Sequence, residues 1–168
     1  NREQNHMQLN QYDVETGQKA NTLLDEKSKT YVEPLHPIRF LENNPGQFYY
    51  WSRKDGWFHL YLYNTEGKLI RRLTHGNWEV TDFYGADPQG KNIFIQSTME
   101  NPVERHIYKV DVAGGKIQKL SHEAGTHTAS FSPGMKMFID QWSAPDVPSR
   151  TDLISAEGKH AATIHQAE

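Results

Sequence analysis

The sequence predicts an all-β fold, a partial β-propeller of about three four-stranded antiparallel blades that follow the last strands of a preceding blade. Two observations support this prediction. Apolar and aromatic residues alternate with polar ones along short runs such as 58–63, which is the pattern of a half-buried strand. The set of four such runs then recurs about every 40 to 50 residues, the repeat length of propeller blades.

The clearest unit ends with the segment 48–75, in which the strands and turns are well marked. Its predicted strands are 38–41, 48–52, 57–63 and 68–73. The turn Asp55-Gly56 joins the second strand to the third, and Gly67 lies in the turn before the fourth. Glycine adopts the positive φ that tight turns of this kind require. The segment is therefore predicted to contain two successive hairpins.

The same unit recurs along the chain at a similar spacing. Phe48, Ile93 and Phe138 take equivalent positions and are spaced 45 residues apart. A turn glycine marks the last hairpin of each copy: Gly17, Gly67, Gly115 and Gly158. The repeats divide the chain into trailing strands in 1–30 and blades over 31–76, 77–122 and 123–168.

In the last blade, strands are predicted at 126–130, 137–143, 152–155 and 160–164. The segment 144–151 contains two prolines and is predicted to be a connector outside the sheet. No stretch of ten or more residues shows the 3.6-residue period of a helix.

Composition excludes several classes of protein. The net charge is −3 and the basic residues do not gather on one segment, which argues against a nucleic-acid partner. No run approaches 18 apolar residues, so no membrane span is predicted. The chain has no cysteine, which excludes disulfides and thiolate chemistry. Since it starts and stops within the repeat pattern, we expect a segment of a larger ring with open sheet edges.

Residues that could carry chemistry give no catalytic site. No Gly-x-Ser-x-Gly elbow is present, and Ser132 takes the position of a turn residue between two strands. His59 and His106 are repeat-equivalent and are expected to point outward from separate blades. His122 and His127 lack the helix that would bring both imidazoles to one metal. We therefore predict no catalytic residue, no metal site and no cofactor.

Five ordered motifs resemble the propeller of the dipeptidyl peptidase IV family over about residues 31–143. They are Ser-Arg-Lys-Asp-Gly-Trp at 52–57, His-Leu-Tyr-Leu-Tyr at 59–63, Leu-Thr-His-Gly-Asn-Trp-Glu-Val at 73–80, Asn-Pro-Val-Glu-Arg-His-Ile-Tyr at 101–108 and Phe-Ser-Pro at 131–133. The ordered set is far more specific than any one of its members. Within the fourth motif, Glu104 and Arg105 are expected to form an exposed charge pair.

The resemblance implies a parent enzyme of the prolyl oligopeptidase superfamily. Such enzymes join an eight-bladed propeller to an α/β-hydrolase domain with a Ser-Asp-His triad, and they remove X-Pro or X-Ala dipeptides from peptide N-termini. The chain would then be a non-catalytic propeller segment that gates substrate access. None of the triad maps onto this sequence, and neither does the family's pair of substrate-binding glutamates.

One substrate-cleft residue is suggested by the resemblance. In the animal enzymes an aromatic-Arg pair near the start of a blade reaches the cleft. The nearest match here is Tyr31-Val32, which lacks the arginine. Tyr31 is therefore the candidate cleft residue.

The expected partners are the peptide substrate, a C-terminal α/β-hydrolase domain of the same protein, and a second copy through homodimerisation or edge-strand self-association. Family resemblance and the missing cysteines suggest a bacterial protein exported to the periplasm or cell surface. The alternative is a binding propeller of the Tol-system or WD-repeat type without a hydrolase domain. A third possibility is a segment of a different enzyme of the prolyl oligopeptidase type, which would have another substrate but nearly the same fold.

Overall fold

The computed structural model of the chain describes residues 3–167, and this range is built of β-strands joined by turns and loops, without a helix. The strands within it are β1 (His6–Tyr12), β2 (Lys19–Lys27), β3 (Arg39–Leu41), β4 (Asn44–Ser52), β5 (His59–Asn64), β6 (Leu69–Arg72), β7 (Val80–Ala86), β8 (Asn92–Ser97), β9 (His106–Asp111), β10 (Ile117–Lys119), β11 (Thr126–Phe131), β12 (Met137–Ala144), β13 (Val147–Ser155) and β14 (His160–Gln166).

The strands form one two-stranded sheet, β1–β2, and three four-stranded sheets, β3–β6, β7–β10 and β11–β14. Within each sheet, neighbours in space are neighbours in sequence, and the paired strands are antiparallel. This meander needs only short turns between strands. The predicted all-β fold of four-stranded antiparallel sheets is confirmed.

The chain divides into two compact units, the first ending at His75 and the second beginning at Gly76. In the first unit, the sheet β1–β2 packs on the sheet β3–β6. Leu23 and Leu24 of β2 join Phe48 and Tyr50 of β4 in one buried cluster. Phe48 and Tyr50 are two positions apart on β4, so their side chains lie on the same face of its sheet. Leu23 and Leu24 are adjacent, at a point where the pairing register of β1 with β2 shifts.

In the second unit, two four-stranded sheets pack in the same manner. Phe94 of β8 and Ile107 of β9 join Phe138 of β12 and Ile154 of β13 in the core. The repeat-equivalent positions 48, 93 and 138 are all buried, with at most 1% of each side chain exposed. Full burial of one such side chain stabilises the fold by about 1.5 to 3 kcal/mol.

The segment predicted as a connector at 144–151 is the one clear error in the strand assignment. Ala144 pairs with Val147, so β12 and β13 form a hairpin whose turn is only Pro145-Asp146. Pro148 lies in β13, where the pairing register with β12 shifts and before the first pair with β14 at Arg150. Proline is tolerated there because no ladder hydrogen bond needs its missing N–H.

Within the part of the chain described here, nothing forms a helix of the length and apolarity that a membrane crossing needs.

The turn glycines offer a test of how closely the strands pack. Gly67 and Gly17 both have positive φ, 81° and 67°. A Cβ at Gly67 would lie 2.8 Å from the Thr22 carbonyl oxygen, whereas a Cβ at Gly17 would meet nothing within 4 Å. Gly17→Ala should therefore lower the free energy of unfolding by about 1 kcal/mol from backbone strain alone. Gly67→Ala should lose at least about 1 kcal/mol more, because the main chain of β2 must move. Equal losses in urea unfolding would show that β2 is not in close contact with this turn.

Candidate functional site

A cavity of about 520 Å³ lies in the first unit, between the connector 28–38 that links β2 to β3 and the turn 53–58 that links β4 to β5. Connectors and turns at the ends of strands commonly carry binding residues, because the sheet below holds them in place. The lining is mostly charged, hydroxyl-bearing and aromatic, with one valine and one glycine: Glu26, Lys27, Ser28, Lys29, Thr30, Tyr31, Val32, Glu33, Arg53, Lys54, Gly56 and Phe58.

Main-chain and ring contacts hold the connector in place. Val32 donates its backbone N–H to the Gln4 carbonyl at 2.7 Å. The imidazole of His36 stacks on the indole of Trp51, with ring centroids 3.4 Å apart and planes 8° from parallel. Phe58 then presents its edge to both rings. The connector is thus packed against β4 and against the turn.

The turn 53–58 is fixed by its own backbone and by Asp55. Gly56 has a φ of 95°, and its N–H donates to the Arg53 carbonyl at 2.8 Å. The Asp55 carboxylate accepts a hydrogen bond from the Tyr61 hydroxyl at 2.7 Å, and it lies 3.4 Å from the Arg72 guanidinium. Burial and the Asp55 hydrogen bond raise the pKa of Tyr61 well above its ordinary value, which keeps the phenol a donor.

Glu26 supplies a polar wall of the cavity. Its carboxylate accepts hydrogen bonds from the Tyr50 hydroxyl at 2.6 Å and from the Ser52 hydroxyl at 2.9 Å. Burial, together with the bond to Glu26, raises the pKa of Tyr50 far above its ordinary value. Both donors are therefore committed to Glu26, which links β2 to β4.

Two cations in the turn are oriented by aromatic rings. The Arg53 guanidinium carbon lies 5.0 Å from the centre of the Phe58 ring. The Lys54 ammonium lies 4.1 Å from the centre of the Tyr61 ring and donates to the Tyr63 hydroxyl at 2.5 Å. Cations within about 6 Å of an aromatic ring are attracted to its face. Both side chains consequently have restricted positions on the cavity lining.

Tyr31, the one residue suggested as a cleft residue, lies on the connector and lines this cavity. Its side chain is 56% exposed. The other lining residues were not identified from the sequence, because the basic pairs around 28 and 53 lie far apart along the chain. These residues could have been found by comparing the predicted connectors and turns that lie at the same end of neighbouring strands, and by looking for basic residues in each of them.

The repeat-equivalent histidines do not point outward, which corrects the expectation from the sequence. His59 and His106 are both fully buried. His59 Nδ1 lies 2.9 Å from the Thr74 hydroxyl, and His106 Nδ1 lies 3.0 Å from the Ser121 hydroxyl. Each hydroxyl also accepts the next backbone N–H, from Leu60 in one blade and from the equivalent residue in the other. The imidazoles are therefore structural links between the third strand of a sheet and the segment after its fourth.

Glu104 contacts His106 rather than Arg105. The Glu104 carboxylate lies 2.8 Å from His106 Nε2, while Arg105 donates to the main-chain carbonyls of Pro102 and Glu104. Burial lowers the pKa of His106, although the bond to Glu104 opposes that shift. A neutral imidazole then donates from Nε2 to Glu104 and accepts at Nδ1 from Ser121, so each ring nitrogen has a partner.

A second group of polar side chains lies inside the second unit. His127 Nδ1 is 2.8 Å from the Asp140 carboxylate, and the ring lies between those of His106 and Trp142. Trp142 in turn donates to Asp152 at 3.1 Å. Across residues 3–167, no three acidic or histidine side chains are arranged to hold a metal ion.

Asp152 accepts hydrogen bonds from four side chains. Arg150 lies 2.9 Å and His160 3.1 Å from its oxygens. Burial raises its pKa, but the hydrogen bonds from Thr163, Trp142, His160 and Arg150 outweigh burial and lower the pKa to about 2.

Ser132 lies in the turn between β11 and β12, as predicted. Its hydroxyl accepts the backbone N–H groups of Lys136 and Met137, both at 3.3 Å.

The model of one protein family, described as the dipeptidyl peptidase IV N-terminal region, matches residues 1–149. The chain is 32% identical over 152 residues to a dipeptidyl peptidase 4 of Arthroderma otae, covering 87% of the chain and 20% of that protein. It is 31% identical over 141 residues to a dipeptidyl peptidase 4 of Trichophyton rubrum, covering 80% of the chain and 18% of that protein. It thus spans about a fifth of the length of these curated relatives.

The fold also matches that of a solved structure. The crystal structure of Porphyromonas gingivalis dipeptidyl peptidase 4 superposes with a TM-score of 0.88 at 33% identity, over 99% of this chain and 23% of that one. The resemblance read from the five motifs is confirmed at the level of the family.

The links between histidine and hydroxyl should contribute measurably to stability. Ser121→Ala leaves His106 Nδ1 and the Ile107 N–H without their buried partner, so the free energy of unfolding should fall by about 1 to 3 kcal/mol. Ser132→Ala is the matched control, and it should cost less because its bonds are longer and nearer to solvent. A smaller loss for Ser121→Ala than for Ser132→Ala in urea unfolding would contradict this assignment.

The lowered pKa of Asp152 predicts how the free energy of unfolding depends on pH. Its folded pKa lies below the ordinary value, so its contribution is complete above about pH 4 and is lost as the pH falls towards 2. Asp152→Asn should lower stability at pH 7 by on the order of 2 kcal/mol. The difference from the native protein should shrink between pH 4 and pH 2. The control is Asp146→Asn in the exposed turn between β12 and β13, which should change stability little. A difference that stays constant down to pH 2 would exclude this role.

Proposed function

Because the chain belongs to the family of the dipeptidyl peptidase IV N-terminal region, we propose that it is the non-catalytic propeller segment of a dipeptidyl peptidase IV-like serine exopeptidase. The single observation that carries the proposal is the family match over most of the chain. In this proposal the parent removes X-Pro or X-Ala dipeptides from peptide N-termini. The triad belongs to an α/β-hydrolase domain of the same protein, and this segment gates the passage of peptides to it.

The rigidity of the sheets supports a gating role. A wall excludes folded proteins only if its strands do not open, and the buried clusters of both units hold theirs together. Such exclusion needs no reacting group from the wall itself.

Tyr31 is the proposed cleft residue of this segment. Its ring is largely exposed, and it lies on a cavity of about 520 Å³ that also has hydrogen-bonding groups. Tyrosine suits such a role because its ring gives a large contact area and its hydroxyl can bond to a peptide. Tyr31 would therefore contribute to peptide binding and not to bond cleavage.

Association with a second copy is also proposed, either as a homodimer of the parent or through strand edges. β14 supports the second route, since its side chains are exposed along the strand. Its sequence, His-Ala-Ala-Thr-Ile-His-Gln, has no lysine, carboxylate or proline, the residues that usually protect an edge. Export to the periplasm or surface of a bacterium remains part of the proposal, and cell fractionation of the source organism tests it.

The enzyme proposal is tested with the full-length protein that contains this chain and with a Gly-Pro-chromophore substrate. The full-length protein should release the chromophore, and the 168-residue chain alone should not, because the proposed triad lies elsewhere. If neither releases it, the binding propeller without a hydrolase domain becomes the better account.

In the same assay, Tyr31→Ala should lower kcat/KM about 3- to 10-fold, chiefly through KM, because one aromatic contact is lost. Tyr12→Ala is the control, since Tyr12 is 59% exposed on β1 and does not line the cavity. Equal effects of the two variants would remove Tyr31 from the cleft.

A further inference from the structure

The cavity of the first unit is basic, although the chain as a whole is acidic. Four of its lining side chains are lysine or arginine and two are glutamate, whereas the whole chain has a net charge of −3. The basic members are Lys27, Lys29, Arg53 and Lys54. They come from β2, the connector and the turn 53–58, so the surplus arises only on folding. We call this the basic cavity.

Two of the cations in the basic cavity are held in position by aromatic side chains. Arg53 is held over Phe58, and Lys54 is held by Tyr61 and Tyr63. Cations that are already oriented lose less rotamer entropy when an anion binds. The two acidic members, Glu26 and Glu33, offset only part of this positive charge, and Glu26 already accepts the hydroxyls of Tyr50 and Ser52. The connector and the turn therefore offer a positive surface beside Tyr31.

We propose that the basic cavity binds carboxylate side chains of the peptide substrate, so that the enzyme prefers peptides with aspartate or glutamate beyond the cleaved dipeptide. This inference rests on the proposed function and adds a substrate class to it. Arg53 and Lys54 are the residues that determine the specificity, with Lys29 opposite them on the connector. They attract the anionic part of the peptide and take no part in the chemical step.

The size of the cavity favours a peptide side chain over a nucleic acid. About 520 Å³ accommodates a few side-chain groups, whereas a nucleic-acid strand is bound along an extended basic groove. The aromatic members, Tyr31 and Phe58, add apolar contact for the stem of an acidic side chain or for the peptide main chain.

The test compares two peptides with the full-length protein: Gly-Pro followed by four aspartates, and Gly-Pro followed by four asparagines. Release of Gly-Pro gives kcat/KM for each. The native protein should prefer the aspartate peptide about threefold or more at low salt. Arg53→Gln combined with Lys54→Gln should bring the ratio to about one. Added NaCl at about 0.5 M should do the same in the native protein, since salt screens exposed charges.

The control variant combines Lys19→Gln and Lys68→Gln, which removes two exposed lysines, one at the start of β2 and one in the turn between β5 and β6. It should keep the preference of the native protein. If both peptides are cleaved, and the ratio of their kcat/KM values is the same in the native protein and in the Arg53/Lys54 variant, this inference is overturned and the proposed function stays intact. Failure to cleave either peptide contradicts the proposed function and this inference with it. Binding of a 12-nucleotide RNA that is lost in the Arg53/Lys54 variant, with no peptide preference, would assign the cavity to nucleic acid instead.

Discussion

A sheet of this fold is stable only when the neighbouring sheet covers its apolar face. In the second unit, Phe94 and Ile107 of one sheet meet Phe138 and Ile154 of the next. β12 alternates buried and exposed side chains, so a slip of one residue would turn Phe138 to solvent. The packing therefore fixes the register, and the register decides which residues reach the ends of the strands. The groups available for binding are those of the connectors and turns.

Buried polar links reinforce this arrangement where apolar packing ends. The pairs His59–Thr74 and His106–Ser121 occur at equivalent places in two blades, each fully buried. A buried imidazole without partners would be costly, so these contacts favour one register over others. The segment thus combines an apolar face with polar links beyond it, and neither requires a reacting group. This suits a scaffold that presents a connector to a ligand.

The fold could be predicted from the sequence because its signals are local. The alternation of apolar and polar residues and the turn glycines mark each strand within about ten residues of sequence. The repeat of four such strands then indicates which strands belong to one sheet. The prediction of a connector around Pro148 was wrong because the sequence cannot distinguish a proline at a shift in pairing register from a proline outside the sheet. The basic cavity was missed for a different reason: Lys29 and Arg53 lie 24 positions apart and meet only through the order of strands. Likewise, the sequence shows the equivalence of His59 and His106 but not the hydroxyl partners that bury them.

We propose that this propeller segment contributes a peptide-binding surface to an enzyme whose catalytic triad lies in another domain. The most direct measurement is a structure of the full-length protein with an uncleaved X-Pro peptide that has acidic residues after the proline. The account predicts that the peptide lies against Tyr31, with a carboxylate within 4 Å of Arg53 or Lys54. A peptide bound away from the connector 28–38, with the cavity filled by another part of the protein, would contradict it.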